Sequence, residues 1–263
     1  MAFYNQIRKN NLFSNLMIKG KHLAIIVIFF TMIFAYHSNP IRIFLIGDST
    51  MADKPIQDNP ERGWGQMIGN YFTKDVKFFN HAKNGRSTKS FLDQGLWKVV
   101  LDTLEEGDYV FIQFGHNDAK KTDTLRFADP FGSYRNNLIK YITDTRSKGA
   151  IPVLITPVNR RNFDSTGKII DSHSDYSKSM KQVAEEFNVP LLDLHKKSML
   201  YFDSLGVEET KKIFLWLNPG EYKLYPEGKR DNTHFTIYGA NEIAKLVVQC
   251  IKESNLVIKK YIK

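Results

Sequence analysis

The sequence predicts an α/β fold, a single three-layer αβα domain with a central parallel sheet over residues 41–263. Past residue 40, short apolar runs alternate with segments of helical periodicity, and this alternation favours a parallel sheet covered by helices on both faces. The chain has 263 residues, of which 42% are hydrophobic and 13% aromatic. That composition is enough for one large core and is unlike that of a disordered chain.

Each predicted strand is a short apolar run followed by polar or turn-forming residues. The five strands are expected at residues 41–46, 76–80, 109–114, 151–156 and 190–194. The third run is apolar at successive positions, as in a strand buried on both faces. Pro157 closes the fourth strand.

Longer segments of helical periodicity separate these runs. Helices are expected within residues 62–72, 131–148, 174–187 and 236–253. Gly149 ends the second of these helices, and the polar residues 164–167 predict a turn or short hairpin. With right-handed crossovers and a strand order of 2-1-3-4-5, the loops after the first three strands meet at one edge, where such sheets bind ligands.

Residues 1–40 are predicted to lie outside the domain, as a signal peptide or an N-terminal anchor. Four basic side chains precede an apolar run at residues 23–36, and the first acidic residue is Asp48. Fourteen helical residues rise about 21 Å, less than the roughly 30 Å hydrocarbon core of a membrane. A cleaved signal is therefore favoured over an anchor, and Met17 is an alternative start.

Cysteine content and charge bear on where the protein is located and what it binds. The single cysteine, Cys250, excludes an internal disulfide. Export without disulfides suits a bacterial periplasm or the cell exterior, which is the expected location. The formal charge of +9 falls to +5 without the four basic residues of the N-terminal segment. This excess either steers an anionic partner or is an ordinary basic surface. Basic blocks interleaved with aromatics are absent, so nucleic-acid binding is not expected.

Polar turns follow the first three predicted strands. They read Gly-Asp-Ser-Thr at 47–50, Asn-Gly-Arg-Ser at 84–87 and Gly-His-Asn-Asp at 115–118, and a late Asp-Asn-Thr-His stands at 231–234. Acyl transfer needs a nucleophile, a base, an acid that orients the base, and donors for the oxyanion. Ser49, His234 and Asp231 fit the first three roles, since a carboxylate three residues before an imidazole can reach its other ring nitrogen.

The predicted oxyanion donors are the backbone N–H groups of Ser49 and Gly85 and the side-chain amide of Asn117. Each segment alone is weak evidence, because such pieces commonly form turns or helix caps. The acyl-transfer site is predicted because the segments occur in this order and follow successive strands. The seven histidines show no metal-ligand spacing, and the predicted mechanism uses neither a metal nor an organic cofactor.

Together the four segments resemble the SGNH or GDSL hydrolases, and more narrowly the rhamnogalacturonan acetylesterases. The narrower resemblance lies in residues 84–91, 113–118 and 231–235 and in Thr-Pro-Val at 156–158 with Arg160 and Arg161. It implies a flavodoxin-like domain of the SGNH type that hydrolyses acetyl esters on a pectic polysaccharide. It also implies Ser49, Asp231 and His234 as the triad, with Ser49, Gly85 and Asn117 as oxyanion donors. Residues 205–230 match no shared motif.

Arg86, Arg160 and Arg161 are candidates for binding the carboxylate of galacturonic acid. The alternative is that they hold loops or face solvent. Rival functions with the same triad are a xylan or oligosaccharide acetylesterase and a lipolytic esterase or thioesterase, the last two of which would need a broad apolar patch beside Ser49. A carbohydrate-binding protein without activity is a rival of another class.

Overall fold

The structure is a computed structural model that describes residues 40–263, so the prediction for the N-terminal segment lies outside the described residues. The strands are β1 (Ile41–Gly47), β2 (Glu61–Arg62), β3 (Val76–Asn80), β4 (Tyr109–Gln113), β5 (Ile151–Ile155), β6 (Leu191–Leu192), β7 (Phe214–Leu217) and β8 (Lys229–Thr236). The α-helices are α1 (Thr88–Asp93), α2 (Leu96–Leu101), α3 (Ser133–Ser147), α4 (Ser174–Glu186), α5 (Leu194–Glu209) and α6 (Ile237–Glu253).

A parallel five-stranded sheet forms the centre of the domain, in the order β3-β1-β4-β5-β6. Numbered along the chain, these strands have the order 2-1-3-4-5, and the predicted fold class is confirmed. Because β1 lies between β3 and β4, the loops that follow these three strands lie side by side at one edge of the sheet.

Side chains of β1 alternate between two cores, one on each face of the sheet. Ile43 and Leu45 belong to the core that contains α6, whereas Phe44 and Ile46 belong to the core that contains α3 and α4. All four side chains are at most 2% exposed. Helices on both faces therefore bury β1 from Ile43 onward and fix the position of its carboxyl end, where the Gly-Asp-Ser turn begins.

The helix predicted at residues 62–72 is wrong. This segment contains β2 and two short 3₁₀ helices, Trp64–Gln66 and Ile68–Tyr71. Gly63 lies so close to the turn after β1 that a Cβ built there would be 2.2 Å from the carbonyl oxygen of Ala52. Tertiary packing against that turn therefore overrides the local helical pattern.

A second sheet, antiparallel and in the order β2-β8-β7, was not predicted. Residues 205–230 supply the end of α5, all of β7 and the start of β8. In this sheet Phe235 pairs with Arg62 on one side and with Phe214 on the other. Asp231 and His234 lie on β8. The segment without a shared motif thus builds β7, one of the two strands that pair with β8.

The turn predicted at residues 164–167 is a short hairpin. Phe163 and Ile169 form an antiparallel bridge, and Asp164 Oδ1 accepts hydrogen bonds from the backbone N–H groups of Thr166 and Lys168. Within residues 40–263, no helix combines the length and apolar character needed to cross a membrane.

Candidate active site

Ser49, His234 and Asp231 form one continuous chain of contacts. The Oγ of Ser49 lies 2.9 Å from Nε2 of His234, and Nδ1 of His234 lies 2.8 Å from Oδ2 of Asp231. Ser49 comes from the parallel sheet, and the other two side chains come from β8 of the small sheet. The structure therefore brings together the three side chains that the sequence predicted as a triad.

Asp231 determines which nitrogen of His234 carries the proton. Burial alone would raise the pKa of Asp231, but hydrogen bonds from the His234 side chain and from the backbone of Thr233 and His234 hold it well below the usual range. Its Oδ1 accepts the N–H of Thr233 at 2.8 Å and that of His234 at 3.0 Å. The ionised carboxylate accepts a hydrogen bond from Nδ1–H, which leaves Nε2 as the acceptor for the Ser49 hydroxyl.

A buried hydrogen-bond network shapes the turn that carries Ser49. Asp48 Oδ1 accepts both the N–H and the hydroxyl of Thr50, at 2.9 and 2.8 Å. Gln113, at the end of β4, donates from Nε2 to Thr50 Oγ1 and accepts from Trp64 Nε1, each at 2.7 Å. These bonds satisfy polar groups that are almost fully buried and give the turn a single arrangement.

Asp48 also lies beside His116 of the third loop. Its Oδ2 is 3.3 Å from Nδ1 of His116, without the alignment of a hydrogen bond. Burial would raise the pKa of Asp48, but His116 and the bonds from Thr50 outweigh it and lower this pKa. Burial lowers the pKa of His116 despite Asp48. At neutral pH the pair is therefore a carboxylate beside a neutral imidazole.

The three predicted oxyanion donors border the same cleft, which has a volume of about 310 Å³. The residues that line it are Ser49, Glu61, Asn84, Gly85, His116, Asn117, Lys120, Arg160, Thr233 and His234. Gly85 has a φ of +75°, a conformation that favours glycine. Asn117 donates one N–H to the carbonyl of Arg86 at 2.9 Å, which ties the second loop to the third. An amide nitrogen carries two N–H groups, so Asn117 retains one for a ligand.

Of the three predicted arginines, only Arg160 lines this cleft. Its guanidinium donates to Thr233 Oγ1 and to the His116 carbonyl. Arg161 is 5% exposed, bonds to Thr210 Oγ1 and lies 4.2 Å from the ring centre of Trp216, so it joins β7 to the loop that follows β5. Arg86 donates to the Asn84 carbonyl and borders an adjoining groove.

Three further charged residues near Ser49 were missed. Glu61 and Lys120 line the cleft, and Lys54, whose side chain is 2% exposed, lies 2.7 Å from Glu61 Oε1 and donates to Asn84 Oδ1. Lys54 thereby links β2 to the loop that carries Gly85. Lys120 stands two residues after the Gly-His-Asn-Asp turn, and this position in the sequence could have indicated that it lies near the site. Nothing in the sequence indicated the pairing of Lys54 with Glu61, because that pairing depends on the small sheet.

Asp118 anchors the third loop to the start of α1. Its Oδ1 accepts the N–H of Thr88 at 2.9 Å and also the Thr88 hydroxyl, whereas Oδ2 is buried with no hydrogen-bond partner among the described residues. Burial raises the pKa of Asp118 to about 7, against the two bonds from Thr88, which lower it. The folded protein therefore holds a proton here that the unfolded chain releases near pH 4.

We expect Asp118→Asn to remove a pH-dependent loss of stability. Because the pKa of Asp118 is raised in the folded state, its contribution to stability falls as the pH rises from about 4 to about 7. Asparagine keeps an oxygen for Thr88 and does not titrate. The free energy of unfolding of the variant, relative to that of the wild type, should therefore rise by on the order of 2–4 kcal/mol when the pH is raised from 5 to 8. Urea unfolding at both pH values measures this difference, with the exposed Asp102→Asn as a control. Equal pH dependence in wild type and Asp118→Asn would contradict the prediction.

Within the described part of the chain, no group of three or more His, Cys, Asp or Glu side chains is arranged to hold a metal ion.

Comparison with known proteins places this chain in a family of acylhydrolases. A model of the GDSL-like lipase/acylhydrolase family matches residues 45–239. The chain is 42% identical over 223 residues to rhamnogalacturonan acetylesterase RhgT of Bacillus subtilis (strain 168), which covers 85% of this chain and 94% of that protein. It is 41% identical over 214 residues to the probable rhamnogalacturonan acetylesterase YesY of the same organism, covering 81% and 94%.

A solved structure supports the same grouping. The crystal structure of protein YxiM from Bacillus subtilis superposes with a TM-score of 0.70 at 28% sequence identity. The superposition covers 81% of this chain and 56% of the other.

Proposed function

Since this chain belongs to the GDSL-like lipase/acylhydrolase family, whose members are carboxylic ester hydrolases, we propose that it removes acetyl groups from rhamnogalacturonan. The chain is an SGNH-type esterase. Two relatives with this substrate in their names align over 94% of their own length, and that similarity is the reason for choosing a pectic acetyl ester.

The observation that carries the proposed mechanism is the contact chain from Ser49 through His234 to Asp231. The Oγ of Ser49 attacks the acetyl carbonyl carbon, and its proton passes to Nε2 of His234. Negative charge develops on the carbonyl oxygen, where the N–H groups of Ser49 and Gly85 and the free N–H of Asn117 stabilise it. Asp231 stabilises the imidazolium that forms.

The intermediate then collapses and regenerates the carbonyl. The bond from carbon to the sugar oxygen breaks, and His234 returns its proton to that oxygen, so the sugar leaves as an alcohol. An acetyl group remains on Ser49. Water, deprotonated by His234, attacks this acyl-enzyme through a second tetrahedral intermediate, and acetate leaves as Ser49 regains its proton.

The character of the cleft favours a short acyl group. Among the described residues that line it, none has an aliphatic or aromatic hydrocarbon side chain. A long acyl chain needs an apolar channel to leave water, so the lipolytic alternative lacks the surface it requires next to Ser49. A polar cleft with amide, hydroxyl and charged groups suits a hydroxyl-rich sugar.

Acetate release from a panel of esters tests the proposal. Acetylated rhamnogalacturonan, acetylated homogalacturonan and acetylated xylan are compared at equal ester concentration, together with 4-nitrophenyl acetate and a long-chain 4-nitrophenyl ester. The highest kcat/KM is expected for rhamnogalacturonan among the polysaccharides, with negligible hydrolysis of the long-chain ester. A preference for acetylated xylan would make xylan, and not rhamnogalacturonan, the substrate. Efficient hydrolysis of the long-chain ester would favour a lipolytic function.

Export of the protein is part of the same proposal. The basic residues followed by the apolar run at residues 23–36 support a secretory signal, and a cell-wall polysaccharide would be met outside the cytoplasm. N-terminal sequencing of protein recovered from the medium or periplasm tests export and cleavage together. Recovery of the full-length chain only in the cytoplasm would contradict it.

A further inference from the structure

Positive charge without a carboxylate partner lines the cleft beside Ser49. The charged side chains that border it are Glu61, Lys120 and Arg160. The carboxylate of Glu61 is paired with Lys54 at 2.7 Å. Within residues 40–263, Lys120 and Arg160 have no carboxylate within the distance of an ion pair, and Arg160 bonds only to the neutral oxygens of Thr233 and His116.

The two cations differ in how they are held. Arg160 is half-buried, and its two bonds fix the guanidinium between β8, which carries His234, and the loop of Asn117. Lys120 is exposed at the edge of the cleft. Burial lowers the pKa of Lys120 and the positive charges of Arg126 and Arg160 lower it further, whereas Asp123 and Asp48 raise it by less. Arg126 is itself paired with Asp123, and among the described residues no carboxylate lies within ion-pair distance of Lys120.

Two cations that border one cleft, neither of them in an ion pair, attract a ligand of opposite charge. We propose that Lys120 and Arg160 form an anion-binding subsite that takes the carboxylate of a uronic acid residue in the substrate. The subsite deepens the proposed function and rests on it. It makes Lys120 a specificity-determining residue, while the acetyl group itself is handled by Ser49, Gly85 and Asn117.

Lys120→Met tests the subsite, because the side chain is exposed and its loss leaves the bonds of Arg160 intact. The substrates are an acetylated rhamnogalacturonan oligosaccharide, the same oligosaccharide with its uronates methyl-esterified, and 4-nitrophenyl acetate. For the charged oligosaccharide, KM should rise about three- to tenfold with kcat nearly unchanged, as expected for one partly solvated ion pair. For the two uncharged substrates, KM should not change. Lys120→Glu should raise KM further for the charged oligosaccharide alone.

The neighbouring Lys121→Met is a matched control, since Lys121 is also exposed but does not line the cleft. It should leave all three KM values unchanged. Equal KM values for Lys120→Met and wild type on the charged oligosaccharide would overturn the subsite, as would an equal loss in Lys121→Met, which would indicate general surface charge.

Inhibition separates the subsite from the proposed substrate. Oligogalacturonate should inhibit the hydrolysis of 4-nitrophenyl acetate competitively in the wild type and several-fold more weakly in Lys120→Met. A neutral galactose oligomer should inhibit the wild type and Lys120→Met to nearly the same extent. If the wild type released no acetate from rhamnogalacturonan but showed this inhibition, the proposed substrate would fail and the subsite would stand. If acetate were released and oligogalacturonate inhibited both proteins equally, the subsite alone would fail.

Discussion

Replacement of Ser49 by alanine is expected to lower kcat for acetyl-ester hydrolysis by about 10⁶-fold, as for other serine hydrolases that lose the nucleophile. His234 and the oxyanion donors remain in this variant, but no atom is left to form the acyl-enzyme. Ser49 is 7% exposed and its hydroxyl contacts only His234 among the described residues, so the fold should persist. Acetate release and circular dichroism on the same preparation measure both properties.

A matched control for this variant is Ser204→Ala on α5, an exposed serine outside the cleft. It should keep full activity. Turnover by Ser49→Ala within tenfold of the wild type would remove Ser49 from the role of nucleophile. The same variant addresses the binding-protein alternative: a wild type that binds the glycan without releasing acetate, and is unaffected by Ser49→Ala, would be a carbohydrate-binding protein.

Asp231→Asn is expected to lower kcat by about 10⁴-fold, the size seen when the acid of a serine triad is neutralised. The asparagine oxygen can still accept the N–H groups of Thr233 and His234, so the loop keeps its shape. An amide nitrogen facing Nδ1, however, forces that nitrogen to act as an acceptor. The proton of His234 then moves to Nε2, which can no longer take the proton of Ser49.

Two measurements separate this effect from a loss of structure. Thermal unfolding of Asp231→Asn should show a folded protein, and Asp203→Asn, which changes an aspartate of α5 outside the cleft, should retain activity. A decrease of less than tenfold in Asp231→Asn would mean that the carboxylate does not set the protonation of His234.

Local patterns in the sequence predicted the parallel sheet and the loops at its edge. The strands β1, β4 and β5 are largely buried apolar runs, and such a run can be recognised without knowing which strands lie beside it. Fixed strand order and right-handed crossovers then place Ser49, Gly85 and Asn117 together. The polar turns could be predicted because they follow directly from where the strands end.

Features that depend on distant contacts could not be predicted in this way. β8 is largely polar and shows no alternation, and it is a strand only because β2 and β7 pair with it. α1 and α2 have six residues each, too few to show a helical period. Arg161 was expected in the cleft, but the unpredicted Trp216 of β7 holds it elsewhere.

The acid and base of the triad stand on a different sheet from the nucleophile. The 2.9 Å contact between Ser49 and His234 joins residues 185 positions apart and is a property of how the two sheets dock. A thermal fluctuation that detached the three-stranded sheet would abolish activity while most of the helices and parallel strands stayed intact. Activity therefore requires the two sheets to stay docked as well as the chain to stay folded, and we expect substitutions that strengthen the packing between the sheets to raise the temperature at which activity is lost.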